Sequence, residues 1–152
     1  MLKLIARILI AVILSIGMAS IGVNGNVAVL QTLFTVLGIV FSISMSLLVS
    51  FSLIKILNKK IRKKLRSSIS QTRNMLLLDF GVSTIALVIA LIWNTENLRY
   101  TFGWCTIDVL LIAVTIVSLS LIYETYNFRK IHALNTDIED TVIEEENNRS
   151  KL

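Results

Sequence analysis

KILNKKIRKKLRSSISQTR, residues 55–73, decides the fold. It holds Lys55, Lys59, Lys60, Arg62, Lys63, Lys64, Arg66 and Arg73 with no acidic residue, and a long apolar run lies on either side of it. Short connections rich in Lys and Arg stay on the cytoplasmic side of a bilayer. Placing this segment inside therefore places every other loop.

The 152-residue chain is 55% hydrophobic, contains no proline and carries a net charge of +5, with a mean hydropathy of +0.76. Apolar runs occupy most of it, which excludes a sizeable water-soluble core and indicates a polytopic membrane protein. The positive balance raises nucleic acid as a partner, but membrane topology accounts for most of it. Cys105 is alone, so neither an intrachain disulfide nor a cysteine-based metal motif is expected. His132 has no metal-ligand companions, and no metal or cofactor is expected.

Lys3 and Arg7 ahead of an apolar stretch resemble a secretory signal. However, Leu2–Val23 has about the 20 residues of a spanning helix, and Met18-Ala19-Ser20 is a poor cleavage site. The segment is expected to be a retained first span, ending at Asn24-Gly25-Asn26. The second span is expected over 27–57. At about 1.5 Å per residue it would reach close to 46 Å, against a hydrocarbon core of about 30 Å. It is therefore expected to project into the cytoplasm, with Leu57, Ile61, Leu65 and Ile69 continuing an apolar line among the basic residues. The third span is expected at about 75–94 and the fourth at about 101–123, with a short outer loop between them. Fourteen of the 15 Lys and Arg residues then lie inside and only Arg99 outside. The expected fold is all-α, with four transmembrane helices and both termini in the cytoplasm. Residues 1–123 form the membrane domain and 124–152 an acidic cytoplasmic tail. In the tail, Thr136 and Glu139 have capping-box spacing.

Four groups of residues are candidates for function. Gly38, Ser42, Ser46 and Ser50 recur every four residues, a small-residue stripe that lets helix backbones approach closely. It serves either packing within the chain or a seam between subunits, and Ala11, Ser15 and Ala19 make a shorter stripe on the first span. Asp108 falls seven residues into the expected fourth span, about 10 Å below its start, where a carboxylate suggests a functional site. Arg99 would lie on the opposite helical face, while Ser15, Gln31 and Thr35 offer polar company at similar depth. A structural clasp and a sensing, ion or proton role both remain open. Asp79, near the inner end of the third span, is expected to form an interfacial salt bridge. The third group is the cytoplasmic basic face: Lys59, Lys60, Arg62, Lys63, Lys64 and Arg66. The fourth is the tail, whose apolar ridge Leu134, Ile138 and Val142, with Glu144, Glu145 and Glu146, is expected to dock a soluble partner.

The stretch VAVLQTLFTVLGIVFSISMSLLVSF, residues 27–51, together with the four-span plan, resembles the membrane subunits of Kiwa-type bacterial anti-phage systems. That resemblance implies a homotetramer in the inner membrane that responds to phage attack at the envelope and works with a cytosolic DNA-binding partner. It carries over no functional residue. Three classes of function are thus open. One is an oligomeric sensor and scaffold in anti-phage defence that recruits a cytosolic effector. Another is a pore or channel-like effector, supported by the serine-rich second span. The third, a small transporter coupled through Asp108, lacks a broken helix or paired intramembrane charges. No enzyme and no small-molecule substrate are expected.

Overall fold

The computed structural model describes residues 2–50, 59–94, 99–102 and 105–149. Four helices and one hairpin follow in order: α1 (Leu2–Ser20), α2 (Val27–Ser50), α3 (Lys59–Asn94), β1 (Arg99–Phe102), β2 (Cys105–Asp108) and α4 (Val109–Arg149). Segments of α2, α3 and α4 are long and apolar enough to cross a membrane, and α1 is a shorter apolar helix.

Local chemistry sets the turns. α1 ends in a Schellman motif: Gly22 adopts a φ of 91°, its N–H donates to the Ala19 carbonyl, and the Val23 N–H donates to that of Met18. Glycine tolerates this left-handed geometry without steric cost. Three residues later Asn26 caps α2, its Oδ1 accepting from the N–H groups of Ala28 and Val29 at 2.8 and 3.3 Å.

The helices depart from the expected boundaries in two places, and a third boundary lies outside the described residues. α2 is described only as far as Ser50, so residues 51–57 of its expected projection lie outside the described residues. The basic segment from Lys59 onward belongs instead to α3, a helix of 36 residues. The fourth helix starts at Val109 rather than near residue 101. The residues before it pair as an antiparallel hairpin, Arg99 opposite Asp108 and Phe102 opposite Cys105. Tyr, Thr, Phe, Cys and Ile fit a pleated ribbon, and their apolar character mimics a helix start in a hydropathy reading.

α4 is the central element, in contact with α1, α2 and α3. Its buried residues Ala113, Val117, Ser120, Glu124, Ile131 and Ile138 follow three- and four-residue steps along one seam, the pattern of a helix that packs in heptads. Two apolar clusters result. One joins Leu30 and Leu37 of α2, Ala90 of α3, and Ala113 and Val117 of α4. The other joins Leu48, Leu76 and Ile131, with Ile69 packed against them. The outside is apolar as well, with Ile13, Ile85, Ile92 and Ile122 all more than 60% exposed. That surface suits lipid.

Phe80 of α3 locks α2 in register by stacking on Phe34 at 5.5 Å and on Phe41 at 4.4 Å between centroids. Such pairs contribute about 0.5–1.5 kcal/mol each beyond their buried area. Phe80→Ala should therefore lower the detergent-unfolding midpoint clearly more than either Phe34→Leu or Phe41→Leu.

Candidate functional site

Between the two apolar clusters lies a layer of polar side chains. The face of α1 that carries Ala11, Ser15 and Ala19 is buried, and the same four-residue step toward the N-terminus reaches Arg7. On α3 the buried line through Ala90 and Ser83 reaches Asp79. On α4 the seam brings in Ser120 and, one turn further, Glu124.

Arg7 Nη2 donates to Asp79 Oδ1 in an ion pair between α1 and α3. The Arg7 guanidinium carbon also sits 3.8 Å from the Tyr123 ring centroid, a cation–π contact that holds the charge over α4. Asp79 is 2% exposed, and Ser120 lies beside its carboxylate. Glu124 is fully buried, close enough to Asp79 and Arg7 for both charges to act on it. Among the described residues neither Glu124 oxygen has a hydrogen-bond partner, and the same holds for Asp79 Oδ2, Arg7 Nε and Nη1, and the Ser44 and Ser83 hydroxyl oxygens. A cavity of about 10 Å³ touches Arg7, Asp79 and Ser120. That is about the room one water needs, far too small for an organic substrate.

Asp79 forms a salt bridge, as expected, but buried within the bundle rather than at an interface, with Arg7 as its partner. The reason is depth. Asp79 lies about 22 Å along α3 from Asn94, and Arg7 about 20 Å along α1 from Ser20, so the two meet inside the bundle. Glu124 had no sequence-based expectation. Its signal was the seven-residue line Val117, Glu124, Ile131, Ile138.

Asp108 lies at the end of β2, immediately before α4. Its Oδ1 accepts the Leu111 N–H at 3.0 Å, an N-cap bond, and its Oδ2 accepts the Gly25 N–H at 3.1 Å from the turn between α1 and α2. A Cβ at Gly25 would stand 2.6 Å from Leu111 N, so only glycine lets the two backbones approach this closely. The expected helical faces do not apply, because the hairpin register puts Arg99 opposite Asp108. The expected polar companions do not gather there. Ser15 is buried and donates to the Val12 carbonyl, Thr35 is exposed and donates to that of Gln31, and Gln31 is exposed.

The α2 stripe faces outward. Ser42, Ser46 and Ser50 are exposed, nothing lies within 4 Å of a Cβ built at Gly38, and the buried face of α2 is Leu30, Leu37, Ser44 and Leu48. Lys59, Arg62, Lys63 and Arg66 are exposed on α3, whereas the side chains of Lys60 and Lys64 lie outside the described residues. The tail continues α4 without a break. Ile138 is only 6% exposed and Val142 is half-buried, so the expected docking ridge is largely covered within the chain. The heptad seam of α4 continues to Ile138 and keeps that face inward. The side chains of Leu134, Glu144, Glu145 and Glu146 lie outside the described residues.

Removing one partner of a buried ion pair costs about 3–5 kcal/mol, whereas replacing both with apolar residues is often neutral. Arg7→Met should accordingly destabilise the protein strongly in detergent unfolding, and Arg7→Met combined with Asp79→Leu should recover most of the loss. At the outer end, Asp108→Ala should cost about 0.5–2 kcal/mol as a lost cap, with Asp108→Asn milder in the same assay. No family model, curated protein or solved structure matches this chain.

Proposed function

We propose that this protein is an oligomeric, four-span bacterial inner-membrane sensor and scaffold, with both termini in the cytoplasm, that holds a cytosolic effector at the membrane. Its assignment to anti-phage defence rests on the resemblance of residues 27–51. The observation that carries the scaffold reading is length. At 36 and 41 residues, α3 and α4 reach about 54 and 62 Å, against about 40–45 Å for a bilayer with its headgroups. Both helices therefore extend beyond the membrane on the side of the α1 N-terminus, packed along each other.

Arg66 to Lys59 lie about 42–52 Å along α3 from Asn94. That range runs from headgroup level at Arg66 to about 7–12 Å beyond the headgroups at Lys59, so a soluble polyanion is within reach of the far part of the stretch. Asp137, Glu139, Asp140 and Glu144 of α4 come level with this stretch, so the charge of the extension as a whole is close to balanced. The exposed side chains of Lys59, Arg62, Lys63 and Arg66 make the α3 side of it cationic, which fits an acidic protein or a partner with bound DNA.

The outward polar face of α2 supports a second reading, a pore. Gln31, Thr35, Ser42 and Ser46 are exposed. Facing lipid, an amide is costly, so a neighbouring copy or a water-filled axis would suit this face. Asp108 is engaged by two backbone N–H groups, which leaves the transporter reading without its coupling site.

A cysteine at Asn26 should react with an impermeant thiol reagent in intact cells, and one at Ser67 only after lysis. Labelling of Ser67 in intact cells would overturn the topology. The combined variant Arg62→Glu, Lys63→Glu, Arg66→Glu should insert and assemble normally but lose the co-purifying partner and the cellular phenotype. Undiminished phenotype in that variant, together with dye release from liposomes by the purified protein, would replace the scaffold with the pore.

A further inference from the structure

Among the described residues the polar layer contains three groups able to carry full charge: Arg7 on α1, Asp79 on α3 and Glu124 on α4. α2, which packs on α3 and α4, brings no charged residue, and Ser44 is its buried polar group. Arg7 and Asp79 neutralise each other. With Glu124 ionised, the layer would hold one uncompensated negative charge at full burial, about 22 Å along α4 from its outer start. An unpaired charge is among the costliest things a membrane interior can contain.

We propose that Glu124 is a single-proton binding site and that the resting bundle holds it as the neutral acid. The step is a plain protonation: the carboxylate takes one proton from water, an O–H bond forms, and no other group is exchanged. A metal cation fits the site poorly. It would need a shell of several oxygens and would have to sit beside the Arg7 guanidinium. Proton release leaves two carboxylates competing for one guanidinium where α1, α3 and α4 meet, so occupancy of the site controls how firmly Arg7 ties α1 to α3. The site is independent of the scaffold reading, because nothing in it involves the cytoplasmic extension.

The test is infrared spectroscopy of the full chain in lipid nanodiscs at neutral pH. A carbonyl stretch from a buried carboxylic acid should be present, shift in deuterium oxide, and move when the protein is made with carboxyl-labelled glutamate but not with labelled aspartate. It should vanish in Glu124→Gln, which mimics the neutral acid. In Asp79→Asn it should also vanish, because an ionised Glu124 then balances Arg7. The labelling arm needs no variant to fold. Absence of the band in the wild type, its survival in Glu124→Gln, or a response to aspartate labelling would overturn the proposal. So would persistence of the band in Asp79→Asn, or its loss when sodium replaces choline in the buffer, which would assign the site to a metal cation.

Discussion

A charge inside hydrocarbon must be neutralised by its neighbours, and the contact between Arg7 and Asp79 is where this protein meets that requirement. Between lipid-immersed helices there is little hydrophobic driving force, because lipid tails are as apolar as the side chains they would replace. Register must come from close packing and from polar contacts. α1 has small residues on its buried face, Ala11, Ser15 and Ala19, which permit approach but distinguish poorly between one axial position and the next. The ion pair with Asp79 and the ring of Tyr123 supply that distinction. They also explain why the polar layer sits between two apolar clusters rather than at an edge: each cluster seals one side of it from lipid and water.

The opposite end of α1 is tied by backbone chemistry. The Schellman turn at Gly22 and the Asn26 cap satisfy groups that the helix ends would leave orphaned. Asp108 does so for both the start of α4 and the turn, through Leu111 and Gly25. α1 is thus tied at both ends, at one by the Arg7 ion pair with Asp79 of α3 and the Tyr123 ring of α4, and at the other by the Asp108 carboxylate shared between the turn and the start of α4. These two clasps differ in kind. The outer one is a local cap that any acceptor of similar shape serves in part, whereas the inner one depends on opposite charges meeting at one depth.

Much of the architecture is legible in the sequence, because apolar length and the clustering of Lys and Arg are one-dimensional signals. The apolar helices and the turn at residues 24–26 follow from them. Asp108 was misplaced because Tyr100, Phe102 and Ile107 are apolar enough to extend a hydropathy window, and hydropathy does not separate a ribbon from a helix. Arg7 passed as a topological charge because its partner is 72 residues away, a distance no local pattern spans. Glu124 was overlooked beside Tyr123, where the expected span ended. Heptad phase, rather than mean hydropathy, places it on the buried seam. Gly38, Ser42, Ser46 and Ser50 read as packing within the chain or as a seam between subunits; the chain turns them outward, against the first of these, because Leu30, Leu37 and Leu48 on the other side bury more apolar area.

The last consequence concerns how the membrane part and the extension act on each other. α4 runs from Val109 to Arg149 with no glycine or proline to break it, and the same seam that holds Val117 and Glu124 continues to Ile131 and Ile138. Ile131 packs with Leu76 of α3 and Leu48 of α2, so the three elements share a cluster directly below the charged layer. A hinge is what would let the extension move independently, and the causes of sharp bends, Pro, Gly pairs or π-bulges, do not occur along the described α4. A shift at the charged layer must then travel as a rotation or tilt of the whole helix. Close-packed seams resist gradual deformation and tend to move between discrete arrangements. The charged layer and the residues beyond Ile138 thus belong to one unbroken helix, with the cluster around Ile131 between them.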